Sequence, residues 1–84
     1  MKTNPKRPSP IDLHVGVGIR SLREARRLTQ AELAQKLGIT TQQVQKYESG
    51  ANRVSASRLY DIAQVFDVKV SYFFRALIEP GDDA

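Results

Sequence analysis

A short polar segment, TQQVQK at positions 41–46, carries the side chains best suited to chemistry with another molecule. Because a helix turns by about 100° per residue, Val44 would point inward and four polar residues would share the outward face. These four residues are Thr41, Gln42, Gln45 and Lys46. Glutamine can bond adenine, lysine can donate to guanine, and a threonine methyl can pack on thymine, so this face could read base edges in a DNA major groove. Glutamine and lysine are also good helix formers, so an ordinary solvated helix surface would look similar.

The helix that carries these side chains needs a partner helix to hold it, and the stretch Leu28 to Gly50 supplies one. Thr29 with Glu32 predicts a capping box at the start of a helix over about 30–37. Thr40 with Gln43 predicts a second box at the start of a helix over about 41–49, so Gln43 is assigned to capping rather than to base reading. Gly38 lies between the two segments, where glycine ends a helix at little cost. Two helices joined by a short glycine-containing turn form the helix-turn-helix plan.

The composition argues against several other classes of protein. The chain has 84 residues, no cysteine and a single histidine, His14, which we expect on a helix surface. No disulfide or thiolate site can form, and we expect neither a metal nor a cofactor. No nucleophile–base set or phosphate-binding glycine loop can be assembled, so we do not expect an enzyme. No apolar run approaches the roughly 20 residues needed to cross a bilayer, so a soluble, cytoplasmic protein with no membrane partner is expected.

The net charge of +4 is compatible with a polyanionic partner. The two ends carry three charges of each sign, so the whole excess belongs to the middle of the chain. The ends hold Lys2, Lys6 and Arg7, and Glu79, Asp82 and Asp83. An ordinary solvated surface could carry the same excess, so charge alone does not decide between the two.

The pattern along the chain predicts one domain with two polar ends. Residues 1–8 form a flexible basic arm, which could reach into a minor groove or simply be a disordered terminus. Residues 9–78 form the folded domain, and residues 79–84 form a disordered acidic tail. Gly16 and Gly18 interrupt the first helix, and the sequence leaves open whether they permit close helix packing.

Three more helices complete an all-α, compact five-helix bundle. Ser9 caps a first helix from Pro10 to about Arg27, Ser55 caps a helix over about 56–67, and Ser71 caps a last helix over about 72–78. The residues with helical spacing that we expect in the core are Val15, Ile19, Leu22, Ala25 and Leu28, and Ala56, Leu59, Ile62, Ala63 and Phe66.

The same residues resemble a known family. The stretch Leu28 to Gly50 is similar to the helix-turn-helix of the Cro/repressor-type, or xenobiotic response element (XRE), family. The family pattern T-Q-x-x-L-A-x-x-L-G-hydrophobic-[ST] is matched by Thr29, Gln30, Leu33, Ala34, Leu37, Gly38, Ile39 and Thr40. Its later parts are matched by Val44, Tyr47, Glu48 and Gly50, and by Leu59, Ile62, Ala63, Phe66 and Val68. The resemblance covers about residues 10–77 and implies a lambda-repressor-like DNA-binding fold.

The resemblance also implies roles for individual residues. Gln30 would bind a DNA phosphate at the positive end of its helix, and Asn52 and Arg53 would bind the backbone from a loop. Thr41, Gln42 and Lys46 occupy positions that read bases, while Gln45 shares their face and reads bases or binds phosphate. Arg23 and Glu48 match a buried ion pair that ties the first helix to the end of the third. The outward face of the third helix varies within the family, so the operator sequence cannot be inherited.

The function that follows is sequence-specific binding of double-stranded DNA by a homodimeric transcriptional regulator, most simply a repressor, at a near-palindromic operator. Dimer contacts are expected from the C-terminal region, within which Phe73 and Leu77 should face the core of the monomer. The residues assigned to the dimer region are Tyr72, Phe74, Leu77 and Ile78. These residues could instead all close the monomer core. The alternative function is an antitoxin or accessory module that binds another protein as well as its own operator.

Overall fold

The computed structural model of the protein describes residues 9–77, and every regular element in this range is a helix. The α-helices are α1 (Pro10–Ala25), α2 (Gln30–Leu37), α3 (Thr41–Ser49) and α4 (Ala56–Phe66), followed by a 3-10 helix (Val70–Leu77). The all-α, five-helix fold expected from the sequence is confirmed. The predicted arm, the predicted tail and Ile78 lie outside the described residues. Within the described range each helix is too short or too polar to reach across a lipid bilayer.

Each α-helix begins at a hydroxyl side chain that was expected to cap it. The cap oxygens accept hydrogen bonds from backbone N–H groups three residues later, at 3.0 Å for Ser9 and Thr29 and 3.1 Å for Thr40 and Ser55. The box at α2 is complete, because Glu32 Oε1 also accepts from the Thr29 N–H at 2.7 Å. These bonds satisfy N–H groups that have no partner within the helix, so the sequence sets where each helix starts.

The hydrophobic core lies between α1, α4 and the 3-10 helix on one side and the α2–α3 pair on the other. Its fully buried members include Ile19, Leu33, Val44, Phe66 and Phe73, each 1% exposed or less. Two arginines bind the C-terminal carbonyls of other helices. Arg26 Nη1 donates to the Phe66 carbonyl at the end of α4 at 2.8 Å, and Arg58 Nη1 donates to the Leu37 carbonyl at the end of α2 at 3.4 Å. A cation at a helix C-terminus is favourable because the last carbonyls carry partial negative charge.

Two glycines allow the C-terminal end of α3 to pack directly against α1. A Cβ at Gly16 would lie 2.5 Å from the carbonyl oxygens of both Tyr47 and Glu48, so only glycine allows this crossing. Gly50 ends α3 with a φ of 79°, and a Cβ there would lie 2.9 Å from Leu13 Cδ2. Gly18 is different, because its Cβ would meet the Phe73 ring at 3.3 Å. The close helix packing that the sequence left open is therefore present at Gly16.

Some helix boundaries and core assignments were wrong. Helix α1 ends at Ala25, two residues early, because Arg27 takes a positive φ of 58° that stops the helix. Ala25, in the last turn of α1, and Ala56, the first residue of α4, are exposed rather than in the core. Both are terminal residues of their helices, outside the segments whose apolar residues are buried.

The last helix differs in type from the prediction. It is a 3-10 helix that starts at Val70, not an α-helix that starts after a Ser71 cap. Phe73 is 1% exposed as expected, but Leu77 is 39% exposed. In an α-helix residues four apart share a face, whereas in a 3-10 helix they are rotated by about 120°. This rotation turns Leu77 away from the core that Phe73 enters.

Candidate nucleic-acid interface

The polar face of α3 points away from the hydrophobic core. Gln42, Gln45 and Lys46 are exposed and Thr41 is half-buried, while Val44 on the opposite edge is 1% exposed. This arrangement follows from the Thr40 cap, which fixes where α3 begins and therefore which residues face outward. The structure thus brings together, on one exposed helix face, the four residues that the sequence singled out.

Gln30 is the first residue of α2, and its side chain is hydrogen-bonded to a residue of α3. Its Nε2 donates a hydrogen bond to Glu48 Oε1 at 2.9 Å. The N-terminus of α2 carries partial positive charge, and the Gln30 side chain is half-buried at that end. The hydrogen bonds from the Thr29 backbone and side chain lower the pKa of the Glu32 carboxyl in the first turn.

Asn52 and Arg53 lie in the exposed loop between α3 and α4. The Asn52 N–H donates to the Lys46 carbonyl at 3.2 Å, which ties the loop to the end of α3. Arg53 Nε donates to both carboxylate oxygens of Asp12 at 3.3 Å, although the Arg53 side chain is 73% exposed. The bond to Nε leaves the terminal nitrogens of the guanidinium available to another acceptor.

Arg23 and Glu48 form a buried ion pair between α1 and α3. Arg23 Nε lies 2.6 Å from Glu48 Oε2, and the two side chains are 11% and 4% exposed. Arg23 Nη1 also donates to the Leu28 carbonyl at 2.7 Å, in the turn before α2. The hydrogen bond to Glu48 raises the pKa of Arg23 above its ordinary value.

The sequence did not reveal two of these contacts. The Gln30–Glu48 bond joins residues 18 positions apart, and the Arg53–Asp12 pair joins residues 41 positions apart. No local spacing indicates either pair, because the first depends on how α2 packs on α3 and the second on how the loop after α3 meets α1. Asp12 also lies in the first turn of α1, where a carboxylate favours the helix N-terminus.

An exposed polar face on the second helix of a capped, glycine-linked pair defines a helix-turn-helix domain. Residues 19–73 match a protein-family model described as helix-turn-helix. The chain is 52% identical over 82 residues to an HTH-type transcriptional regulator of Sinorhizobium medicae (strain WSM419), an alignment that covers 98% of this chain and 58% of that relative. It is 53% identical over 72 residues to a transcriptional regulator in the ATPase CF(0) region of Rhodospirillum rubrum, covering 86% of this chain and 66% of the relative.

Solved structures show the same fold. The restriction-modification controller protein C.AhdI from Aeromonas hydrophila matches with a TM-score of 0.70 and 29% identity, over 74% of this chain and 94% of that one. The clp gene regulator ClgR from C. glutamicum matches with a TM-score of 0.75 and 21% identity, over 80% of this chain and 87% of that one, which supports the fold alone. The chain belongs to the Cro/repressor-type (XRE) helix-turn-helix family of transcriptional regulators. It spans about three fifths of the length of the Sinorhizobium relative.

Proposed function

We propose that this protein is a homodimeric transcriptional repressor that binds a near-palindromic operator in double-stranded DNA in the cytoplasm. The observation that carries the proposal is the exposed face of α3, where Gln42, Gln45 and Lys46 project from a helix whose other edge is fixed in the core. In this proposal the dimer represses by occupying its operator.

Base reading and backbone binding are assigned to different residues. Thr41, Gln42, Gln45 and Lys46 would contact base edges, because their donors, acceptors and methyl group match those that the major groove presents. Gln30, Asn52 and Arg53 would contact phosphates on either side of the groove, from the α2 N-terminus and from the loop after α3. Phosphate contacts set the register of α3, and the base contacts then discriminate between sequences.

A dimer is proposed because one α3 spans only a few base pairs. Two copies related by a twofold axis would read half-sites about 10 bp apart. The surface around the 3-10 helix supports this assignment, because Leu77 is 39% exposed and Tyr72 and Phe74 are half-buried. A groove of about 410 Å³ between α1 and the 3-10 helix extends this surface, with Val17 exposed at its edge. Ile78, also assigned to the dimer, lies beyond the described residues.

Selection from a random duplex library, at two salt concentrations, tests the proposal. We expect enrichment of a near-palindrome, and we expect the affinity to fall steeply with salt because phosphate contacts release counterions. If the selection enriches no particular sequence, base reading by α3 is contradicted. An affinity that does not change with salt would contradict backbone binding.

A further inference from the structure

The Glu48 carboxylate is the centre of a buried network that reaches the proposed DNA surface. Its side chain is 4% exposed, and it accepts three hydrogen bonds. Two come from Arg23, from Nε at 2.6 Å and from Nη2 at 3.1 Å. The third comes from Gln30 Nε2, which bonds the same oxygen as Arg23 Nη2, at 2.9 Å. The network therefore connects α1, α3 and the first residue of α2.

The bond to Glu48 fixes the direction of the Gln30 carboxamide. A carboxamide nitrogen has two N–H groups in one plane, and Glu48 engages one of them. The plane is then set, so the second N–H has a defined direction at the α2 N-terminus. The capping box uses the N–H groups of Thr29 and Glu32. The first-turn N–H groups of Gln30 and Ala31 have no partner within a helix, so they can serve an external acceptor beside this amide.

We propose that Glu48 is a positioning residue for DNA binding, and that it orients the Gln30 amide toward a backbone phosphate. This inference rests on the proposed function and deepens it. The Gln30 amide donates one N–H to Glu48 and the other to a non-bridging phosphate oxygen. Because the free protein already holds this orientation, less side-chain freedom is lost on binding.

Arg23 makes this positioning possible. An isolated carboxylate would be costly to bury, and the two hydrogen bonds from Arg23 compensate that cost. Both carboxylate oxygens of Glu48 accept from Arg23, so Glu48 presents acceptors and the donor side of the Gln30 amide faces inward. The bond from Arg23 Nη1 to the Leu28 carbonyl also holds the turn that leads into α2. The ion pair therefore acts on recognition as well as on the fold.

The double variant Arg23→Met/Glu48→Met tests this role with no change in net charge. Replacing a buried ion pair with apolar residues of similar size is often neutral or stabilising, so the fold is expected to persist. The probe is a fluorescein-labelled pool of random-sequence duplexes about three helical turns long, since phosphate contacts are independent of sequence. We expect the affinity to fall about tenfold, as for loss of one hydrogen bond to a charged group. The dependence of affinity on salt should not change.

Two further variants make the comparison specific. The matched control is Arg20→Met/Glu24→Met, which removes the exposed pair on α1, whose side chains are 64% and 55% exposed. We expect this control to bind like the wild type. Gln30→Ala should weaken wild-type binding about tenfold, but it should have little further effect in the Arg23→Met/Glu48→Met background, because there the Gln30 amide is no longer held toward the phosphate.

Each outcome has a definite meaning. If Gln30→Ala weakens binding but Arg23→Met/Glu48→Met binds like the wild type, Glu48 does not position Gln30 and the inference is wrong. If Gln30→Ala has no effect on wild-type binding, the inference is also wrong, although DNA binding itself stands. If the wild type does not bind the duplex pool in a salt-dependent manner, the proposed function fails first.

A measurement on the wild type keeps the inference testable if the double variant does not fold. The side-chain amide of Gln30 can be followed by NMR, with the exposed Gln35 amide on the same helix as the control. We expect one Gln30 amide proton to exchange with solvent more slowly than the Gln35 protons, and the other to shift when the duplex pool is added. If both Gln30 amide protons exchange quickly and neither shifts when the duplex pool is added, the inference is wrong.

Discussion

Gln30 and Arg53, two of the residues assigned to phosphates, each donate to a carboxylate in the free protein. Gln30 donates to Glu48 at 2.9 Å, and Arg53 donates to Asp12 at 3.3 Å. The exposed residues of α3 that are assigned to base reading, Gln42, Gln45 and Lys46, lie in open solvent instead. We interpret this difference as a consequence of their tasks. Phosphate contacts set the register of the protein on DNA and gain from a side chain that is already held, whereas base contacts carry the sequence information.

The two glycines of α1 should respond very differently to alanine. Gly16→Ala would place a methyl group 2.5 Å from two backbone oxygens of α3, which cannot rotate away. We expect it to destabilise the fold by about 2 kcal/mol or more, and thus to lower the melting temperature by about 8 °C or more. Gly18→Ala meets only the Phe73 ring, at 3.3 Å, and gains helix propensity. Its net effect should stay within about 1 kcal/mol.

Thermal unfolding followed by circular dichroism measures this difference. The Gly18→Ala variant is the matched control, because it makes the same substitution in the same helix. Equal melting temperatures for the two variants would show that α1 and α3 are not held at the distance described.

The helix starts are the elements that the sequence predicted best. Ser9, Thr29, Thr40 and Ser55 are capping residues whose effect is local, so the hydroxyl alone is informative. The 3-10 helix was not predicted, because over eight residues a repeat of 3.0 differs little from a repeat of 3.6. The burial of Phe73 is compatible with either repeat, and only the exposure of Leu77 distinguishes a 3-10 helix from an α-helix here.

The capping box of α2 should make the stability of the protein depend on acid pH. Hydrogen bonds from Thr29 lower the pKa of Glu32 below its ordinary value of 4.5. A lowered folded-state pKa means that the stabilisation is complete above that ordinary value and is lost as the pH falls through the folded value. The melting temperature of the wild type should therefore exceed that of Glu32→Gln at pH 7.

The difference between the two melting temperatures should shrink below about pH 4.5, as the carboxyl becomes protonated. Melting curves at a series of pH values check this expectation. Asp61→Asn is the control, since its carboxylate is 56% exposed and lies 3.8 Å from Arg58. A difference between the wild type and Glu32→Gln that does not change with pH would mean that the ionised carboxylate does not stabilise α2.

At the level of the whole molecule, α1 connects the two surfaces that the proposed function requires. It packs against the end of α3 at Gly16 and against the 3-10 helix at Gly18. The sequence located the helix-turn-helix and the outward face of α3, because local periodicity determines both. It could not reveal the Glu48–Gln30 bond, which depends on how α2 and α3 pack together, or the exposure of Leu77, which depends on the 3-10 geometry of the last helix.

Dimerisation through the 3-10 helix predicts that Leu77→Lys produces a monomer. Leu77 is 39% exposed, and a charge placed within an apolar interface would be costly to desolvate. Sedimentation equilibrium should show a dimer for the wild type and a monomer for this variant. Tyr60→Lys on α4 is the control, because Tyr60 is 55% exposed and outside the proposed interface. A Leu77→Lys dimer would place the interface elsewhere.

The proposed function requires that the exposed face of α3 reads base sequence while the loop after it binds phosphates. The most direct test compares Lys46→Ala and Arg53→Ala on the library-selected duplex and on random duplexes, with Lys69→Ala as a charge-matched control between α4 and the 3-10 helix. Lys46→Ala should reduce the preference for the selected duplex by about tenfold or more. Arg53→Ala should weaken both duplexes equally and reduce the salt slope by about one unit per contact. If both variants lower the two affinities by the same factor, α3 does not read sequence and the account is contradicted.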